Sequence, residues 1–337
     1  QKDYYSLFSF FNSTFEKGSP NYGSDDMVAG PTLLLTKKEE EQKISKLKLY
    51  INELEVQQKA ASLNDLKTAK AQGDKFIQNS LGKMTIAKLS FDKKSENGKD
   101  KKYFINEADN KNNAAYKNVE FGKGVLGNSL KYNDETFVSF PPYKFAYFER
   151  YQPFAFSFWL KVPEKYPLAT IFYQTDYHKN GYQGYDLVLK NNQINFRVIH
   201  AFPNDALSVF STTSLNTNQW YHVSISYDGS SSAAGVAIYV DGKKINTTVE
   251  YDHLKKHIRS YPSIHKAPLS GLDFGVRTLD RSMPGGEIDE FQLFNEVLTQ
   301  NEVTYLHSLQ AYPISSKKNK PSPIATPLIN ARIELCN

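Results

Sequence analysis

The chain has 337 residues, 40% of them hydrophobic, with 22 Tyr and 22 Phe, which is enough apolar and aromatic surface for a full core and excludes a disordered segment. Its 41 basic and 36 acidic residues leave a net charge of +5, too evenly mixed for a nucleic-acid footprint, and no apolar run approaches the roughly 20 residues that span a bilayer, so neither nucleic acid nor a transmembrane segment is expected. A lone Cys336 excludes an internal disulfide framework, a four-cysteine zinc site and a Cys-x-x-Cys-His haem attachment, so no cofactor is expected in this segment.

In the opening "KDYYSLFSFFNSTFEKG", Tyr4, Leu7, Phe8 and Phe11 recur at helical spacing, an aromatic stripe that needs a partner. The chain begins without Met and without the apolar stretch of a signal peptide, which points to a processed or excised segment. Residues 1–35 read as the end of a preceding helical domain plus a loop. Residues 36–83 form a charged helical segment in which Ile44, Leu47, Ile51 and Leu54 take the 3-4-3 spacing of a helical seam. The pattern fails at Gln58, so the segment reads as a helix docked on its own protein rather than a long coiled coil.

Over residues 84–310 the period becomes two. Phe154, Phe156, Phe158, Leu160 and Val162 alternate with Ala155, Ser157, Trp159 and Lys161, and Tyr221, Val223, Ile225 and Tyr227 repeat the pattern. Asn191-Asn192 and Asp241-Gly242 supply hairpin turns, because these residue types accept positive φ at low cost. Many short strands with such turns predict a mainly β, antiparallel sandwich or jelly roll. Thr299 and Glu302 form the capping box of a last helix, with Val303 and Leu306 on its inner face. Residues 311–337, with "SSKKNKPSPIATP", read as a linker to a following domain.

The blocks "FGKGVLGNSLKYNDETFVSF", "PFAFSFWLKV", "NQWYHVSISYDGS", "VAIYVDGKKI" and "GGEIDEFQLFNEVLTQNEV" resemble, in order, the segments of laminin-G-like, concanavalin A-like jelly rolls. More narrowly, "GYQGYDLVLKNNQINFRVIHAFPNDAL" with "DGSSSAAGVAIYVDGKK" is similar to the sandwich of large planctomycete-type cytochrome-c proteins, where it lies between two helical domains of unknown function. That resemblance implies export to the periplasm or bacterial cell surface, flanking domains of the same polypeptide as partners, and any haem c on another part of the protein. It supplies no catalytic residues.

A retaining glucanase on this fold needs two carboxylates about 5–5.5 Å apart. Glu287 and Asp289, at i and i+2, could converge to that distance, but the glucanase pattern that this stretch resembles, Glu-x-Asp-x-x-Glu, meets Gln292 in its third place, and the tighter variant meets Phe291. Strict alternation also puts Ile288, Glu290 and Gln292 on the face opposite Asp289 unless a bulge intervenes. Glu287 and Asp289 therefore read as structural strand residues, with Asp289 bonding turn backbone. His253 and His257 lie four apart but lack the Glu of a zinc-protease helix and read as surface histidines, so no metal is expected.

What remains is a polar and aromatic set on loops: Asp176, Tyr177, His178 and Tyr182 before one strand, His200, Phe202 and Asn204 after the next, and Arg277 and Arg281 ahead of the final strand. The Asn191-Asn192 hairpin sends its two strands in opposite directions, so the first two groups emerge at the same end. Flat rings and planar polar groups suit a pyranose. The expectation is a non-catalytic glycan- or polysaccharide-binding module; the alternative is a structural spacer that positions flanking helical domains, and third comes a glycoside hydrolase.

Overall fold

The structure, a computed structural model, describes residues 37–96, 102–143, 145–175, 181–259, 271–275, 277, 282–309, 313–314 and 325–336. Among the described residues two helices come first, α1 (Lys38–Gln72) and α2 (Asp74–Met84). They lead into strands β1 (Thr85–Leu89), β2 (Lys94–Glu96), β3 (Lys102–Phe104), β4 (Ala114–Lys117), β5 (Glu120–Lys123), β6 (Asn128–Lys131), β7 (Phe137–Ser139), β8 (Phe154–Lys161) and β9 (Leu168–Thr175). The second half contributes β10 (Gly184–Lys190), β11 (Gln193–Ala201), β12 (Asp205–Ser214), β13 (Trp220–Tyr227), β14 (Val236–Val240), β15 (Lys243–Lys244), β16 (Thr247–Asp252), β17 (Asp273–Gly275) and β18 (Glu287–Phe294), then helices α3 (Gln300–His307) and α4 (Ala325–Cys336).

The strands form an antiparallel sandwich of the concanavalin A-like type. An 8-stranded sheet runs β15-β14-β13-β8-β18-β6-β5 with β1 also on β18, and faces a 10-stranded sheet, β16-β12-β11-β10-β9-β17-β7-β4-β3-β2. Period-two patterning produces this because one face of each strand must leave water. Phe154, Phe156, Phe158 and Leu160 of β8 point inward against Phe172, Phe196, Phe274 and Phe291, with Phe274 and Phe291 edge to face at 4.8 Å. Asn191 (φ 52) and Asn192 (φ 60) close the β10–β11 hairpin, and Asp241 (φ 48) with Gly242 (φ 76) closes β14–β15, the paired positive φ values whose twist matches the strands.

The outer face of the 8-stranded sheet is covered at one end by helices. Leu81 and Met84 of α2 and Val303, Tyr305 and Leu306 of α3 bury Ala155, Tyr239 and Phe294. The Thr299–Glu302 capping box forms, and Glu302 also accepts from Ser80 Oγ at 2.6 Å, tying α3 to α2. Leu54 of the α1 seam is buried against Leu328 and Ala331 of α4. Within residues 311–337, read from sequence as a linker, α4 occupies Ala325–Cys336. Twelve residues are too few for a stable isolated helix; packing on α1 and the Arg332 bonds to Glu55 (2.8 Å) and Asp228 O (3.1 Å) hold it.

Candidate functional site

The β10–β11 hairpin builds the loop end of the sandwich. Its register sets Asp186 directly across from Arg197, and Arg197 grips the carboxylate through Nε (2.7 Å) and Nη2 (2.5 Å). Arg277, arriving from beyond β17, donates from Nη1 to the same carboxylate at 2.6 Å and to Thr175 Oγ1 at 3.0 Å. Burial pushes the Asp186 carboxyl up, but the two guanidiniums outweigh it and hold the group below the usual carboxylate range. Asp186 is thus clamped between two guanidiniums.

Aromatic rings wrap this triad. The Arg277 guanidinium lies 4.4 Å from the centre of Tyr182 and 5.3 Å from that of Tyr173, while Arg197 lies 4.8 Å over Phe202. Phe202 meets Tyr251 edge to face at 5.5 Å. Phe202 N donates to Gly181 O at 2.8 Å, which joins the loop before β10 to the loop after β11. Tyr182, Phe202, Asn204 and Tyr251 are half-buried and form the rim.

Of the residues expected here, Tyr182, His200, Asn204 and Arg277 are gathered at this end; Asp176, Tyr177, His178 and Arg281 lie outside the described residues. Arg277 is 5% exposed and bonded to Asp186 and Thr175. His200 is 6% exposed and its Nδ1 donates to His257 O at 2.7 Å. Burial lowers its pKa. His253 and His257 lie in an irregular segment, as a loop reading expects; His253 is exposed, whereas His257 is half-buried with its ring edge to face on His200 at 4.9 Å. Asp186, Arg197, Tyr173 and Tyr251 were missed. Asp186 and Arg197 were findable, because a two-residue turn at positions 191 and 192 pairs residues whose numbers sum to 383, and theirs do.

The acidic strand is occupied with holding the sandwich together. Glu287 accepts from Lys161 Nζ at 2.9 Å and Ser129 Oγ at 2.5 Å. Asp289 is fully buried and accepts from the Val125 and Leu126 amides at 2.8 and 3.1 Å, at the β5–β6 turn, and from the Glu290 amide at 2.8 Å. The alternation expected after Asp289 is corrected, because β18 carries a bulge between Asp289 and Gln292 against β8. Glu290 is the inserted residue, at φ 48, so Gln292, opposite Ser157, returns to the outer face with Asp289 while Phe291 enters the core. The bulge falls where the partner of β18 changes from β6 to β1.

The glycines of "FGKGVLG" make room for these acids rather than for a phosphate. A Cβ on Gly122 would stand 2.0 Å from Glu287 Oε2, and one on Gly124 2.4 Å from Asp289 Oδ2. Gly124→Ala is therefore expected to lower stability by about 1–3 kcal/mol, as overpacking does, read as an earlier urea midpoint with unchanged slope. A wild-type midpoint would refute the contact.

With this architecture in place, comparison with known proteins is informative. The profile of the concanavalin A-like lectin/glucanases superfamily (Laminin_G_3) matches residues 135–304. The chain belongs to this superfamily. No curated protein matches it. Among solved structures, the superfamily fold is shared with the binding domain of Paraclostridial Mosquitocidal Protein 1 (TM-score 0.50, 17% identity, 67% of this chain and 52% of that one). It is also similar to the botulinum neurotoxin serotype G binding domain (TM-score 0.48, 18% identity, 67% and 51%). A third is domain 4 of AbnA, a GH43 extracellular arabinanase from Geobacillus stearothermophilus, in complex with arabinotriose (TM-score 0.44, 17% identity, 66% and 98%). The chain spans about half the length of the two toxin domains.

Proposed function

We propose that this superfamily member is a non-catalytic module that binds glycans at its loop end. The observation that carries the reading is the rim of half-buried rings, Tyr182, Phe202 and Tyr251, set around the buried Arg197–Asp186–Arg277 triad. Rings of this kind take the apolar face of a pyranose, and the polar side chains between them suit its hydroxyls. The resemblance to cytochrome-c-associated sandwiches supports a place outside the cytoplasm, beside further domains of the same polypeptide, with any haem c located in those domains.

A glycan array probed with the full chain should give hits, and Tyr182→Ala and Tyr251→Ala should each weaken the best hit at least tenfold by calorimetry while leaving the melting temperature near wild type. Absence of hits, or hits indifferent to both substitutions, would remove the loop end as the site. The spacer reading is favoured by one observation, the α1–α4 pair fastened to the sandwich through Arg332 and Asp228 O. It predicts a chain that binds no glycan but captures its own neighbouring domains. A hydrolase is disfavoured because Glu287 and Asp289 are both engaged by protein donors.

A further inference from the structure

Where the last turn of α3 meets the outer face of the 8-stranded sheet lies a second constellation, remote in sequence from the loop-end residues. Trp159 of β8 and His222 of β13 are cross-strand partners, and His307 comes down on them from the last turn of α3. The three rings make a nearly equilateral triangle: Trp159 to His222 5.3 Å, Trp159 to His307 5.6 Å and His222 to His307 5.5 Å between centres. Two buried nitrogens within it, His222 Nδ1 and Trp159 Nε1, have no hydrogen-bond partner. A buried polar atom without a partner costs about 1–3 kcal/mol, so two in one cluster call for an explanation.

We propose that His222 and His307 hold a divalent transition-metal ion of the zinc, copper or nickel class. Two imidazoles sharing one ion at metal–nitrogen distances of about 2.0–2.1 Å have ring centres roughly 5–6 Å apart, and this pair meets that separation. His222 is 2% exposed, and its Nε2 lies 2.9 Å from Ser157 Oγ, which Ser224 Oγ in turn supports at 3.2 Å. Fixing one ring nitrogen in this way orients the other toward a ligand, as outer-shell partners of metal-bound histidines do. The ion takes the Nδ1 lone pair, and a water bound to the ion accepts the Trp159 indole N–H, so both orphaned nitrogens are satisfied at once. Among the described residues no group of three or more His, Cys, Asp and Glu is placed to ligate, so water fills the remaining positions. Half-buried Trp159 and His307 form the way in.

Trp159 is a built-in reporter, since the chain has only 2 Trp. In untagged full-length protein carrying Trp220→Phe, addition of Cu(II) or Ni(II) should quench the remaining indole saturably at one ion per chain, and Zn(II) should compete. His307→Gln should weaken the quench at least tenfold, and His222→Gln likewise. Because His222 is buried and its loss can disturb the sheet, the half-exposed His307 variant decides, with its melting curve recorded beside the titration. The Cu(II) complex should show nitrogen hyperfine structure from imidazole by electron paramagnetic resonance. No saturable quench, or a quench of wild-type affinity in His307→Gln, would overturn the assignment.

Discussion

Asp186→Asn is expected to lower stability by about 3–5 kcal/mol, the cost of leaving buried cations without their anion. The carboxylate is fully buried, and Arg197 and Arg277 are 8% and 5% exposed. The asparagine amide keeps the shape but removes the negative charge that two guanidiniums bond at 2.5–2.7 Å. Guanidinium-chloride unfolding should show the loss as an earlier midpoint. The triple change Asp186→Leu, Arg197→Met, Arg277→Met should recover much of it, because the charges of the triad are then removed together. A stability of Asp186→Asn within 1 kcal/mol of wild type, the ordinary range of an exposed ion pair, would show that the triad carries little of the fold.

Stability should also fall as the solution is taken from mildly acidic to mildly alkaline. Burial pushes the Glu290 carboxyl up from 4.5 to about 7, with Lys88 opposing and Asp289, Glu107 and Asp92 adding to the rise. Between those two values the folded chain keeps a proton that the unfolded chain has released, so the folded state binds more protons and loses ground as pH rises. At 1.36 kcal/mol per unit this amounts to about 3 kcal/mol across the window. Asp289, raised to about 6 chiefly by burial, acts in the same direction. His222, lowered by burial from 6.5 to about 3, acts in the opposite sense up to about pH 6.5, a smaller effect over this window than that of the two raised carboxyls together; Asp186, lowered from 3.8, titrates below the window. Urea midpoints should therefore be higher near pH 5 than near pH 8, and Glu290→Gln should flatten the difference. Equal midpoints at both values, or a slope unaltered by that substitution, would contradict the burial of this carboxyl at the bulge.

How much of this was legible beforehand follows from where each constraint acts. The strands, their inward faces and the hairpin registers at Asn191-Asn192 and Asp241-Gly242 are local: alternation sorts the two faces, and a two-residue turn with positive φ leaves one way to pair its flanks. The Thr299–Glu302 cap is equally local, and hairpin direction alone brings Tyr182 beside His200 and Asn204. The Asp186–Arg197 pair was within the same reach and was overlooked because neither residue sits in a loop.

Other features depend on contacts between distant segments, and no local pattern announces them. The bulge at Glu290 exists because β18 must pair with β6 over its first residues and with β1 over its last, two strands more than 30 positions apart in sequence. The burial of Arg277 depends on its reaching a carboxylate 91 residues away, which turns an expected ligand donor into part of the scaffold. The helix Ala325–Cys336 is set by α1, nearly 300 residues earlier, rather than by its own propensity. The Trp159, His222 and His307 triangle likewise forms only because the capped helix α3 docks on the outer sheet, so tertiary packing alone brings the three rings together.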